Sequence, residues 1–118
     1  MTYETFVKEM LDWFPSLRSE CSAYMDDDDP LPYVAIGCVL NPWLETCLEA
    51  RDVASLAKAG EFVEAAAAAS RSDARLADLI GIEIGEWLPG VRERKLLLSY
   101  LGPETHKLCG YHISRLPD

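Results

Sequence analysis

Apolar side chains in the first part of the chain recur every three or four positions, which is the spacing of one helix face. The apolar positions of this stretch share one arc of a helical projection: Tyr3, Phe6, Val7, Met10, Leu11, Trp13 and Phe14. Thr2 is placed to cap the helix, and Pro15 ends it because the residue before a proline avoids helical backbone angles. A short second helix is predicted over residues 16–24.

Two longer helices are predicted in the middle of the chain. Residues 33–50 form a helix with a kink or break near Asn41-Pro42, because proline removes one backbone hydrogen bond and clashes with the preceding turn. Asp52 caps the next helix, which runs to about residue 70. Within it, Gly60 either costs helix stability or marks a break between two helices.

The remaining helices are predicted from start and stop signals. Ser72 caps a helix over residues 73–88, and Pro89-Gly90 stops it. Residues 91–101 form another helix, and Pro103 begins a short final one. The tail from residue 112 is expected to be loose or lightly docked.

These elements predict an all-α fold, since no segment alternates like a strand. We expect five to seven helices in antiparallel pairs, arranged as a bundle or a short HEAT-like stack within one domain of residues 1–118. The helix over 73–88 is apolar on one face and carries Gly81 and Gly85 on the other. This pattern predicts a central helix that is packed on both sides.

Composition fits an ordinary globular domain. The chain has 118 residues, of which 49% are apolar, enough for one core. Its apolar runs are too short to cross a membrane, and residues 1–14 lack the features of a signal peptide. The four cysteines show no CxxC spacing, which favours buried thiols over disulfides. A cytoplasmic protein is therefore predicted.

Charge is unevenly distributed along the chain. The net charge is −9, and residues 1–50 hold ten acids against Lys8 and Arg18 alone. Such a half would repel nucleic acid and anionic membranes and would attract a basic partner. The alternative interpretation is that the acids serve solubility alone.

Four consecutive aspartates, Asp26, Asp27, Asp28 and Asp29, precede Pro30 and predict a loop. A calcium loop needs alternating carboxylates, a glycine and a distal glutamate, and this run lacks that pattern. A solvated loop is the first interpretation, and recognition of a partner is the second.

No catalytic motif is present in the sequence. The only histidines are His106 and His112, and no serine or cysteine lies in a nucleophile motif. His106 and Cys109 share a helix face, but a structural zinc needs four ligands and no second pair is evident. We therefore predict no catalytic residue, no metal and no cofactor.

Glutamates paired at three or four residues are a second candidate for metal ligation. Glu45 with Glu49, and Glu61 with Glu64, have the spacing of carboxylates in metal-binding bundles. Those bundles also use an ExxH motif, which this chain lacks. Solvated acidic faces are the better interpretation.

Glu83 is the most unusual single residue, because helical spacing places it between Leu79 and Trp87 on an apolar face. A carboxylate there is a buried acid with a shifted pKa, the partner of Arg94, Lys95 or another basic side chain in a salt bridge, or part of an exposed binding surface. Glu86 lies at the edge of the same face and would extend an acidic and aromatic patch.

Residues of about 33–108 resemble small helical bacterial proteins found beside polymorphic toxins, some of them immunity proteins and many of unknown function. The matching elements are Phe62-Val63-Glu64, Ile82-Glu83-Ile84 with Glu86, and Leu101-Gly102-Pro103. The resemblance implies a helical stack and an inhibitor that blocks a toxin's active site. It carries over no catalytic residue.

The leading hypothesis is a non-catalytic protein that binds and neutralises another protein, such as a toxin domain with a basic cleft. The predicted contacts are acidic or aromatic: Asp26, Asp27, Asp28, Asp29, Trp43, Glu45, Glu49, Glu83, Glu86 and Trp87. A second hypothesis is a regulatory or adaptor module, monomeric or dimeric, that uses an apolar helix face. A third is an enzyme or metal-binding protein centred on Glu83 with His106 or Cys109.

Overall fold

Helices make up the regular secondary structure of the computed structural model, which describes residues 1–117. The α-helices are α1 (Phe6–Trp13), α2 (Arg18–Ser22), α3 (Pro32–Val34), α4 (Asn41–Ala50), α5 (Val53–Ala69), α6 (Ala74–Ile80), α7 (Arg94–Tyr100), α8 (Pro103–Leu108) and α9 (Gly110–Ile113). Two π-helical segments, Ala35–Leu40 and Gly81–Gly85, and three 3₁₀ turns, Pro15–Leu17, Ser70–Ser72 and Leu88–Gly90, complete the set. The predicted all-α fold is confirmed, and residues 1–117 contain no strand.

Helix α5 is the centre of the fold and packs against α1, α4, α6, α7 and α8. Its Phe62 is fully buried, with ring centroids 5.5 Å from Phe6 and 5.6 Å from Phe14. The sequence had predicted a central helix over residues 73–88 that is packed on both sides. Its apolar face is buried and Gly85 on the other face lies against His112, but the space beside Gly81 is open.

Gly60 does not break α5, which runs unbroken through it. A Cβ atom at this position would lie 2.1 Å from the backbone oxygen of Tyr100 at the end of α7. Glycine therefore permits backbone contact between two helices, and its lower helix propensity is the cost of that contact.

The caps were predicted with mixed success. Asp52 caps α5, as predicted, by accepting a hydrogen bond from the Ser55 N–H at 3.2 Å. The predicted cap Ser72 is wrong, because Asp73 caps α6 by accepting from the N–H groups of Arg75 and Leu76. Asp73 also accepts from the backbone N–H of Tyr3, which joins the start of the chain to α6.

The disruption predicted near Asn41-Pro42 takes the form of a π-helical segment. Residues 35–40 are wound more widely, and α4 follows directly. Pro42 lies in the first turn of α4, directly after the π-helical segment.

Near the C-terminus the structure differs from the prediction in one way. Helix α7 begins at Arg94 rather than near Val91, whose extended backbone angles separate it from the helix. Of the two alternatives predicted for the tail, loose or lightly docked, the structure has the docked one, since α9 is formed and Ile113 and Leu116 pack against the core. Within residues 1–117, no helix is both long and apolar enough to cross a membrane.

Candidate functional site

Glu83 lies on the second π-helical segment and faces the first one. Its carboxylate rests against Gly37, where a Cβ atom would be 3.4 Å from Oε1. The buried side chain of Asn41, the first residue of α4, also holds the second segment, because its Nδ2 donates to the Glu83 carbonyl oxygen at 2.9 Å. The two π-helical segments therefore contact each other where the Glu83 carboxylate meets Gly37. π-Helical turns often occur at functional sites.

The Glu83 carboxylate has no cation to balance it. Within residues 1–117, no lysine, arginine or histidine nitrogen lies within 4.0 Å of its oxygens. The predicted salt bridge to Arg94 or Lys95 is therefore wrong. Arg94 is directed away, and its guanidinium donates to the carbonyl oxygens of Val91 and Pro117.

Partial burial and a like charge both act on Glu83. Loss of solvent raises the pKa of this carboxyl, and the nearby Glu86 carboxylate raises it further. An acid that is half-buried, uncompensated and beside a second acid destabilises the folded chain at neutral pH. Such groups occur disproportionately at functional sites.

Trp87 and Glu45 extend this site towards α4. The indole N–H of Trp87 donates to Glu45 Oε1 at 3.1 Å, and the ring is half-buried. Glu45 and Glu49 both line a groove of about 320 Å³ between α4 and residues 90–93. We call the residues Glu45, Glu49, Glu83, Glu86 and Trp87 the acidic–tryptophan surface.

The aspartate loop is a separate feature. Asp26 and Asp29 close a turn through a hydrogen bond from the Asp29 N–H to the Asp26 carbonyl oxygen at 3.1 Å, and all four aspartates are exposed. Asp26 and Asp27 line a different groove, formed with α1 and α2, to which the acidic–tryptophan surface contributes no residue. The predicted acidic contacts are thus divided between two places.

Trp43 belongs to neither of these places. Its ring is half-buried and packs on Phe14, with centroids 5.1 Å apart, at the edge of the aromatic core. The residue has a clear structural role in covering that core, although it was predicted as a partner contact.

Glu64 stabilises the start of α8, a role that the sequence did not reveal. It was predicted to lie on a solvated face, but it accepts hydrogen bonds from the N–H groups of Glu104 and Thr105 and from the Thr105 hydroxyl. Gly102 makes room for it, since a Cβ there would lie 2.4 Å from the carboxyl carbon. Burial raises the pKa of Glu64, but the hydrogen bonds outweigh burial and hold it below the usual value.

The histidines and Cys109 have separate structural positions. His106 contacts the Leu98 carbonyl oxygen through Nε2 at 3.1 Å, Cys109 is fully buried, and the His112 ring packs directly on Gly85. Nowhere in the part of the chain that the structure describes do three histidine, cysteine or acidic side chains form a group that could hold a metal ion.

Comparison with known families places these features in a wider context. Residues 7–113 match DUF7674, a domain of unknown function. The chain belongs to this family. No curated protein and no solved structure matches the chain. The matched range includes the residues of both the acidic–tryptophan surface and the aspartate loop.

Proposed function

We propose that this DUF7674 chain is a non-catalytic protein that captures a basic partner protein through its acidic–tryptophan surface. In this proposal the partner is a toxin domain with a basic cleft, which the chain neutralises by covering it. The chain acts in the cytoplasm, where its free cysteines stay reduced.

The uncompensated carboxylate of Glu83 is the observation that carries this proposal. It is held against Gly37 beside Glu86, and no cation of the described chain pairs with it. A lysine or arginine of a partner would supply the missing charge and would be attracted more strongly because the site is partly desolvated. Binding would thereby offset the free-energy cost of holding the Glu83 carboxylate partly buried in the folded chain.

Trp87 supplies the apolar part of such a contact. Tryptophan and arginine are the residues most often found at binding hot spots, and a cation over an indole face is attracted by its ring. The hydrogen bond from Trp87 to Glu45 holds the indole in place before a partner arrives. A preorganised side chain loses little entropy on binding.

The groups around Glu83 suit recognition better than bond-making chemistry. They include a glycine, the phenol of Tyr33 and a second carboxylate, and the Asn41 amide is bonded to the Glu83 carbonyl oxygen. A general acid or base needs a reacting group to act on and a partner that positions it. The two carboxylates, Glu83 and Glu86, instead form a negatively charged site that suits a bound cation.

A regulatory or adaptor module is the second candidate, and Ile82 is the observation that favours it. This side chain is 44% exposed beside Glu83 and would add apolar contact area to the same surface. An adaptor that self-associates there would form dimers whose stability does not fall with salt. Sedimentation velocity at low and high salt measures this directly.

The first test is capture of partners from the source cells with the tagged chain at low and high ionic strength. The proposal predicts one basic protein that is retained at low salt and is lost or reduced at high salt. Recovery of an acidic protein, or of no protein at either salt, would overturn it.

A second step separates neutralisation from adaptor function. The captured partner is purified, and its toxicity or activity is measured with and without an equal amount of the chain. Neutralisation predicts loss of that activity on mixing. An unchanged activity in a stable complex would favour the adaptor.

A further inference from the structure

We propose that a second site, the groove beside the aspartate loop, binds a basic amphipathic segment of a partner protein. The groove shares no residue with the acidic–tryptophan surface. The inference therefore stands independently of the function proposed above, and each can fail without the other.

The groove is formed by α1, α2 and the loop that follows α2. Its volume is about 430 Å³, within the range of sites that bind ligands or side chains of a partner. Apolar side chains form its floor from three elements: Val7 and Leu11 of α1 and Cys21 of α2, which are buried, and the half-buried Met25 of the loop. Such a lining favours apolar anchors on one face of the incoming segment.

The edges of the groove are acidic. Glu4, Asp12, Asp26 and Asp27 line it together with two cations, Lys8 and Arg18. Lys8 lies 3.1 Å from Asp12, and Arg18 lies 4.0 Å from Asp27. Asp28 and Asp29 continue the same exposed loop, so the net charge around the opening is negative.

The pairs within the groove are open to exchange. Lys8, Asp12, Arg18 and Asp27 are all more than half exposed, and exposed ion pairs of this kind contribute little free energy. A lysine or arginine of an incoming segment would therefore compete for these carboxylates without breaking a strong contact. Asp26 has no ion pair within residues 1–117 and is the first candidate to receive a cation.

Charge also selects the kind of occupant. The groove belongs to the half of the chain in which ten acids face two bases, so a second copy would bring like charges together. An occupant with apolar residues on one face and lysine or arginine at its edges matches both the lining and the rim. This is the pattern of an amphipathic helix that binds in a groove.

Fluorescence anisotropy with a designed peptide tests this site. The probe is a labelled peptide of about 12 residues, built from leucine and lysine with leucines at helical spacing. A peptide of the same leucine pattern, with glutamate in place of lysine, is the control for purely apolar binding. The proposal predicts saturable binding of the basic peptide alone, and equal binding of both peptides would contradict it.

Two matched variants locate the binding. D26N/D27N removes two charges that line the groove, and D28N/D29N removes two charges from the same loop outside its lining. We expect D26N/D27N to reduce the affinity for the basic peptide about tenfold and D28N/D29N to reduce it by less than about twofold. Equal losses in the two variants would show general attraction to acidic loops and would overturn the proposal.

Methionine methyl NMR gives a second readout that does not depend on the variants. The chain has three methionines, and Met25 lines the groove whereas Met1 and Met10 do not. Saturating basic peptide should shift the Met25 methyl signal and leave the buried Met10 signal unchanged. Binding that leaves Met25 unshifted would place the peptide elsewhere and would refute this site.

Discussion

At the scale of single residues, the molecule keeps one carboxylate in an unfavourable place. Glu83 is half-buried, rests on Gly37 and lies beside Glu86, with no cation within ion-pair distance in residues 1–117. Other acids of the chain stabilise the fold: Asp73 and Glu64 accept hydrogen bonds from N–H groups in the first turns of helices. Glu83 has no such role, which is why we assign it to recognition.

Replacement of Glu83 by glutamine should stabilise the folded chain at neutral pH. The folded state raises the pKa of Glu83, so it loses stability relative to the unfolded chain as the pH rises through that pKa. Glutamine avoids this loss, and we expect a gain of a few tenths of a kcal/mol at pH of about 7. Urea unfolding measures the gain, which should vanish below the ordinary pKa of glutamate.

The control for this variant is Glu61→Gln, which removes one charge from an exposed position of α5. It should change stability less than Glu83→Gln does. A Glu83→Gln variant that is less stable than the natural chain at neutral pH would mean that the carboxylate has a structural partner.

The four thiols should differ sharply in reactivity. Cys38 is exposed, whereas Cys21, Cys47 and Cys109 are buried. Burial raises the pKa of Cys21 and Cys47, and it raises the pKa of Cys109 to about 11, which leaves little reactive thiolate. Alkylation of the native chain, followed by mass spectrometry, should modify Cys38 first and the others only on unfolding. Early modification of Cys109 would contradict the buried position.

At the scale of elements, close contacts between helices depend on glycines in defined places. Gly60 lets the end of α7 touch the backbone of α5, and Gly85 lets the His112 ring pack on the second π-helical segment. Gly81 is different, because the space around its Cβ position is open. Its replacement therefore tests helix propensity alone.

Gly60→Ala should destabilise the fold by about 1–3 kcal/mol, because the new methyl group would overlap the Tyr100 carbonyl oxygen. Gly81→Ala should instead stabilise it by up to about 1 kcal/mol, since alanine favours helical backbone. Thermal unfolding of the two variants gives the comparison. Stabilisation by both would mean that α5 and α7 do not approach as closely as described.

Removal of the Glu64 carboxylate should detach the start of α8. Glu64→Ala leaves two backbone N–H groups without their acceptor, and we expect a loss of about 1–2 kcal/mol at neutral pH. The folded state lowers the pKa of Glu64, so its contribution is present above the ordinary value of 4.5 and is lost as the pH falls through the lowered pKa. The two proteins should thus converge in stability in acid. A constant difference at all pH values would argue against the ionised cap.

The elements differ in how far the sequence predicts them. Asp52 was predicted as a cap because an aspartate directly precedes the helix, and its partner, Ser55, is only three residues away. The Glu64 cap was not, because its partners lie about 40 residues later and only the folded chain brings them together. The hydrogen bond from Asn41 to the Glu83 carbonyl oxygen likewise spans 42 residues, which periodicity does not contain.

The candidate site was predicted in part by the same logic. Helical spacing singled out Glu83 between Leu79 and Trp87, and the structure places its carboxylate, half-buried, against Gly37. Its expected ion pair with Arg94 or Lys95 was wrong, because the direction of the Arg94 side chain is set by packing of the tail. The bond between Trp87 and Glu45 joins elements 42 residues apart and had no signal in the sequence.

At the scale of the whole molecule, charge and fold work together. A net charge of −9 is carried by a helical domain, and the acidic–tryptophan surface and the groove beside the aspartate loop each hold several of its acids. Such a field accelerates encounter with a basic protein, and local geometry then decides where it is held. Salt should slow association with the partner while changing its dissociation much less.

The most direct test of the proposed function is the affinity of the captured partner for matched variants. E83Q/E86Q removes two charges from the acidic–tryptophan surface, and E20Q/E61Q removes two exposed charges from α2 and α5. Calorimetry at one ionic strength should give an affinity reduced about tenfold or more for E83Q/E86Q and within about twofold of the natural chain for E20Q/E61Q. Equal affinities for the two variants would contradict the assignment of binding to the Glu83 surface.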